Sequence, residues 1–257
     1  MEHMLILPAD DAALLPTLCA CMLVISFLYS TVGHAGASGY LAIMSLFGLA
    51  PEFIKPVALI LNILVAAVAA WQFYRAGHSN WSLFWPFALL SLPCAFIGGF
   101  LDIPTHVFRI ILGIVLLFSA IVLLVKMRTS DVATPPPRPV ALGVGAGLGF
   151  MAGLTGTGGG IFLTPALLLF RWAGTRTASA TSALFILVNS ISGLLGFVGR
   201  SKQLPAPEAL APLLVTVLIG GTIGSYLGSR RFSKEMIRMF LAAVLAIASC
   251  KLILGAS

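Results

Sequence analysis

Gly153–Phe162 reads GLTGTGGGIF: five of its ten residues are glycine, none is charged, and it lies inside a long apolar run. A glycine costs about 1 kcal/mol against alanine in a helix interior. A plain membrane helix therefore has no reason to gather five of them, and the stretch predicts a break. What such flexible, donor-rich backbone does in an apolar setting decides how the rest of the chain is read.

The surroundings are membrane-like. Of 257 residues, 59% are hydrophobic and 9% charged, with a mean hydropathy of +1.06; soluble domains carry about 25% charged residues. Uncharged runs cover residues 12–51, 56–74, 76–101, 110–125, 139–170, 177–199 and 209–229. A spanning helix needs about 20 mostly apolar residues, so the chain reads as an all-α polytopic membrane protein with about 8–10 membrane segments. A closed barrel would alternate apolar and polar residues instead. The N-terminus is acidic (Glu2, Asp10, Asp11) and lacks the basic region that opens a cleaved signal peptide. Cys19, Cys21, Cys94 and Cys250 lie in apolar segments with no CxxC or Cys/His grouping, so neither disulfide, metal nor cofactor is expected. The net charge of +7 does not imply nucleic acid, because Lys and Arg of such chains gather in the loops of one membrane side.

Two halves resemble one another. Residues 1–126 form an N-terminal repeat, 127–139 a cytoplasmic Pro-rich linker, and 140–257 a C-terminal repeat, together one integral membrane domain. VGHAGASGYLAIMSLFG (32–48) parallels LTGTGGGIFLTPALLLF (154–170), and Asn62 falls opposite Asn189, Arg109 opposite Arg238. Residues 139–170 give 32 uncharged positions, or about 48 Å of helix at 1.5 Å per residue. That is too long for one span and too short for two, so a full helix followed by a short one is expected. If the short segments cross and the N-terminus is outside, ten of the fifteen Lys and Arg residues lie inside. Lys55, Arg109, Arg200, Lys202 and Lys251 then lie outside. The excess favours ten crossings. Five per half makes the repeats inverted, as in secondary transporters built around broken helices.

The breaks are the expected site. Non-helical backbone at membrane depth survives only where protein or a water-filled cavity satisfies it, and a glycine turn before a helix N-terminus makes an anion-binding concavity. The second break supplies Thr157, Gly158, Gly159 and Gly160; the first supplies His34 and Ser38. Asn62 and Asn189, each in the following helix, are expected to donate amide hydrogen bonds into the same space. The small-residue pairs Gly143/Gly147, Gly145/Gly149 and Gly149/Gly153 read as close helix packing. No Asp or Glu lies deep in an apolar segment, which argues against a cation pathway. A leucine at Gly159 is expected to fill the anion's space and abolish transport without disturbing insertion.

GLTGTGGGIFLTPALLL, TASATSALFILVNSISGLLGF and IGGTIGSYLGSRRFSKEMIRMFLAAVLAI resemble the TauE/SafE family of bacterial sulfite and organosulfur-anion exporters. The likeness spans nearly the whole chain, with G-x-GGG-x-x-x-x-P (Gly156 to Pro165) its most specific element. It implies a multi-pass permease of the bacterial cytoplasmic membrane for sulfite, thiosulfate, sulfonates or related small anions. Alternating access is the expected mechanism, with the lipid bilayer and a small anion as partners. A homodimer and coupling to protons are compatible with the reading, and His34 is the deep imidazole available for the latter. Two other classes share features. An anion channel would need the same site chemistry. A rhomboid-like intramembrane serine protease is suggested by GASG (36–39), but Ser38 would need a histidine base in a later helix, and His78 and His106 lie between apolar segments. No catalytic role is therefore expected.

Overall fold

The computed structural model describes residues 14–31, 34–101, 104–124, 134–200, 204–228 and 250. These residues form nine helices and no strand: α1 Leu14–Thr31, α2 Ala37–Leu46, α3 Pro51–Arg75, α4 Trp81–Phe100, α5 Thr105–Leu124, α6 Arg138–Thr155, α7 Gly160–Leu169, α8 Thr175–Gly199 and α9 Pro207–Gly228. Five are long and apolar enough to cross a membrane: α1, α3, α4, α8 and α9. The protein is thus a multi-pass membrane protein. The final crossing expected after Gly228, Arg238 within it, Gly33 and most of the 127–139 linker lie outside the described residues.

The uncharged run 139–170 resolves as expected into a full helix and a short one, α6 and α7, and the run 12–51 holds a matching pair, α1 and α2. α2 and α7 have 10 residues each, about 15 Å, or half the thickness of a hydrocarbon core of about 30 Å. They start and stop alike. The residue before each is a left-handed glycine, Gly36 (φ 100°) and Gly159 (φ 79°). After each C-cap phenylalanine, Phe47 or Phe170, the chain turns through a positive φ at Gly48 or Arg171. This geometry pairs Gly36 with Gly159, one residue away from the pairing that the sequence suggests.

Packing does not follow the two sequence halves. α4 lies on α6 and α8, while α9 lies on α1 and α3, and α3 meets α8 between them. Two cores result. One is built mainly from α1, α2, α3, α5 and α9, around Leu18, Met22, Tyr40, Leu61, Leu112 and Val217, and takes in Ile161 of α7 and Ile186 of α8. The other is built from α4, α6, α7 and α8, around Phe87, Ala141, Leu163, Leu167 and Phe185. Within the first, Ser26 Oγ donates to the Val217 carbonyl (2.7 Å). Within the second, Ser192 Oγ donates to Leu92 O and Thr164 Oγ1 to Ser182 Oγ, each at 2.6 Å. Small residues bring the helices close. A methyl on Gly145, Gly149 or Gly153 would land on the backbone of Phe87, Ser91 or Ala95 in α4, and one on Gly220 or Gly224 on the backbone of α1. Gly143 and Gly147 face open space, so that pair of the expected packing motif takes no part.

Lys55 is a second departure. It lies inside α3, is buried, and is no loop residue. Its Nζ donates to the carbonyls of Gly98 (3.2 Å) and Gly99 (3.3 Å). These belong to the last turn of α4, whose carbonyls have no intrahelical donor, and a cation there is favoured by the helix dipole.

Candidate functional site

The second break is held from both ends. Thr155 closes α6 by donating its hydroxyl to the Met151 carbonyl (2.7 Å), and its oxygen lies 3.0 Å from that of Thr157. Gly156, Gly158 and Gly159 have φ of 81°, 71° and 79°, a region that L side chains enter only at a cost. Gly160 and Ile161 then open α7, where backbone N–H groups have no acceptor within the helix. The glycines are therefore a conformational requirement of a turn that takes a positive φ at three of its four residues, 156–159.

Two helices, α3 and α8, wall this turn. On α8, Ile186, Ser190 and Gly193 share one face by their i, i+4, i+7 spacing. Ile186 covers Gly158 and Gly160, Gly193 lies on the Gly153 backbone, and a methyl on Gly158 would stand 3.0 Å from Ser190 Oγ. On α3, Asn62 Nδ2 donates to the Gly156 carbonyl (3.3 Å) and would stand 3.4 Å from the same methyl. The Lys55 backbone and Cγ pack on Gly156, and its ammonium is 6.0 Å from the centre of the Phe197 ring. All of these residues are buried. The polar wall of the turn is thus Asn62 and Ser190; the rest is apolar.

Of the expected residues, Thr157, Gly158, Gly159, Gly160 and Asn62 come together here. Asn189 turns its Nδ2 back along its own helix to the Phe185 carbonyl (2.9 Å). Each asparagine gives one N–H of its Nδ2 to a backbone carbonyl, and each Oδ1 is buried without a partner; Asn62 Nδ2, with its second N–H, is the amide atom beside Gly158. The space beside Gly159 is already occupied. A Cβ there would meet Phe185 Cε1 at 2.9 Å, Ala152 Cβ at 3.2 Å and Leu148 O at 3.3 Å. Gly159→Leu would damage packing, so it cannot serve as a clean lesion of a binding site.

His34 and Ser38 belong to the first break, which differs in chemistry. The His34 N–H donates to the Tyr29 carbonyl (3.0 Å), and Ser38 Oγ donates to Tyr29 Oη (2.9 Å). The Tyr40 ring lies over Gly36, where a methyl would come within 2.6 Å of Cζ. Two buried tyrosines fill this break, and the Ser38 hydroxyl is set against a phenol rather than an imidazole. Sequence reasoning missed Ser190 and Lys55. Ser190 was within reach, because the i, i+4, i+7 row from Ile186 to Gly193 marks the face that meets the glycines. Lys55 was hidden by its place at the start of an apolar run.

Half-length helices interrupted at glycine, packed among helices long enough to span a bilayer, define the protein's class: a membrane transporter. The profile of the sulfite exporter TauE/SafE family matches residues 18–252, and the chain belongs to that family. It is similar to the probable membrane transporter protein y4hK of Sinorhizobium fredii, with 39% identity over 235 residues, 90% of this chain and 94% of the relative. It is also similar to the probable membrane transporter protein YjnA of Bacillus subtilis, with 25% identity covering 90% of this chain and 96% of the relative. A third relative, the probable membrane transporter protein MJ0441 of Methanocaldococcus jannaschii, is 24% identical over 91% of this chain and 93% of its own. No solved structure matches the chain. Family and relatives alike describe a transporter rather than an enzyme.

Proposed function

We propose that the chain is a secondary transporter that moves small anions (sulfite, thiosulfate, sulfonates or related small organic anions) across the bacterial cytoplasmic membrane by alternating access. The anion binds at the second break, against Thr157, the backbone of Gly158–Gly160, Asn62 and Ser190, with Asn189 behind them on α8. His34 and Ser38 shape the first break, which gates the cavity. The observation that carries this reading is the polar lining of Gly158, which Ile186, Ser190 and Asn62 pack closely. There a helix N-terminus meets a buried hydroxyl, Ser190 Oγ, that has no hydrogen-bond partner. Oriented N–H groups at such a terminus favour an anion, and an unpaired buried hydroxyl is costly unless something fills its bond. Family membership supports the cargo class. The exchange of partners, in which α4 packs on α6 as α9 packs on α1, fits two halves in equivalent roles.

The test is uptake of sulfite, thiosulfate, methanesulfonate and acetate into proteoliposomes holding the full chain, with Ser190→Ala and Thr157→Val beside the wild type. Removing one hydrogen bond to a charged ligand should cut uptake about tenfold, while the melting temperature in detergent stays near that of the wild type. Anion uptake at the wild-type rate by both variants would move the site elsewhere. Absence of anion uptake by the wild type would end the transport reading.

A further inference from the structure

Three atoms stand nearest to the position that a methyl on Gly158 would take: Ile186 Cγ2 at 2.8 Å, Ser190 Oγ at 3.0 Å and Asn62 Nδ2 at 3.4 Å. Two of them can donate to an anion. Ser190 Oγ is buried without a partner, and Asn62 Nδ2 gives the Gly156 carbonyl one of its two N–H groups. The third is a methyl. Ile186 lies one turn before Ser190 on α8, and its Cγ1 and Cδ1 go on to cover Gly160, at the start of α7. An anion bonded to Ser190, Asn62 and the first N–H groups of α7 therefore presses whatever it carries besides oxygen against Ile186. That wall gives little. Ile186 is buried and belongs to the first core. A β-branched side chain inside a helix is held near one χ1 rotamer, and overfilling a packed interior is costly.

We propose that Ile186 sets the size of the anion: the site takes a small oxyanion whose non-oxygen substituent is absent or no larger than methyl, and this side chain excludes longer alkyl groups by contact. The inference rests on the binding site proposed above and specifies what that site admits. An apolar wall discriminates by about tenfold or more for a methylene that it cannot seat.

Methanesulfonate and propanesulfonate test it directly. They carry the same charge and the same three oxygens and differ in alkyl length alone. In proteoliposomes holding the wild-type chain, kcat/KM for uptake should fall about tenfold or more from the first to the second. In Ile186→Ala, which removes Cγ1, Cγ2 and Cδ1, the two values should come within about threefold of each other. Ile186→Val removes Cδ1 alone and should narrow the wild-type gap by about threefold. Leu187→Ala, at the next position of α8 but on another face, should keep the wild-type ratio. Equal values in the wild type, with both anions transported, would overturn the size limit and leave the site standing. An unchanged ratio in the Ile186 variants would overturn the role of Ile186. So would an equal shift in Leu187→Ala, which would mean that α8 had merely loosened. If the wild type transports sulfite and neither sulfonate, Ile186→Ala should admit methanesulfonate, and its failure to do so refutes the size limit. If the wild type transports no anion at all, the binding site itself is refuted, and this inference with it. Should Ile186→Ala fail to fold, Ile186→Val decides.

Discussion

His78 sits in the turn between α3 and α4, near Arg176 in the first turn of α8. Partial burial, and after it the Arg176 charge, hold its imidazole below the usual value. Folded His78 therefore favours the neutral form, whereas the unfolded chain takes up a proton at about pH 6.5. Stability from this residue is intact above about pH 6.5 and is lost as the pH falls from there to the lowered folded value. The melting temperature in detergent should fall across that window in the wild type. It should fall less in Arg176→Gln, which removes the smaller of the two causes, and least in His78→Gln. An unchanged fall in His78→Gln would assign the acid sensitivity to other groups. At this scale the sequence is informative about residue type and silent about orientation. Asn62 and Asn189 were visible as amides in apolar helices, but which end each spends locally depends on the Gly156 and Phe185 carbonyls, and these depend on where the helices break and pack. Ser190 is one step along the same stretch, and one residue on a helix is enough to turn a side chain onto another face.

At the scale of elements, the breaks were legible because length and composition disagree: 32 uncharged residues, three of them consecutive glycines, fit neither one span nor two. Their register was not. The first break has no glycine run to anchor an alignment, and only the left-handed backbone at Gly36 and Gly159 shows which positions correspond. The α6 glycines carry the same lesson. Gly143, Gly145, Gly147, Gly149 and Gly153 look alike as small residues, yet Gly145, Gly149 and Gly153 fall on one face and touch α4, while Gly143 and Gly147 face away. Alanine at Gly147 should therefore stabilise α6, by up to about 1 kcal/mol from helix propensity alone. Alanine at Gly149 or Gly153 should cost on the order of 1–3 kcal/mol, because a methyl would force the α4 backbone aside. Denaturation midpoints in detergent measure both, and equal effects at positions 147 and 149 would mean that α4 does not pack on this face.

Across the whole molecule, the unit of sequence and the unit of packing differ, and this changes what can move. Two rocking halves suggest residues 1–126 against 140–257, but α4 has joined the core of the second half and α9 that of the first. Two groups of packed helices therefore meet along α3 and α8, joined where Ile161 of α7 and Ile186 of α8 enter the first core. The seam is suited to sliding where Ala69, Ala70 and Ala183 meet, since three small side chains interlock little. It is polar where Asn62 and Lys55 of α3 bond the Gly156, Gly98 and Gly99 carbonyls of the other body. The glycine break lies on the same seam, so a ligand beside Gly158 touches both bodies at once and can shift their balance by differential contact. In a chain whose native cysteines are replaced, Ala69→Cys with Ala183→Cys should form a cross-link that stops anion uptake and releases it on reduction. Thr164→Cys with Ser182→Cys, whose hydroxyls are 2.6 Å apart within the second body, should cross-link and leave uptake within about twofold of the uncross-linked protein, because no relative motion is needed there. Full uptake through a cross-linked seam would mean that α3 and α8 stay together during transport. The moving boundary would then have to lie between α2 or α7 and the helices around it, with the half-helices rather than the bodies as the gates.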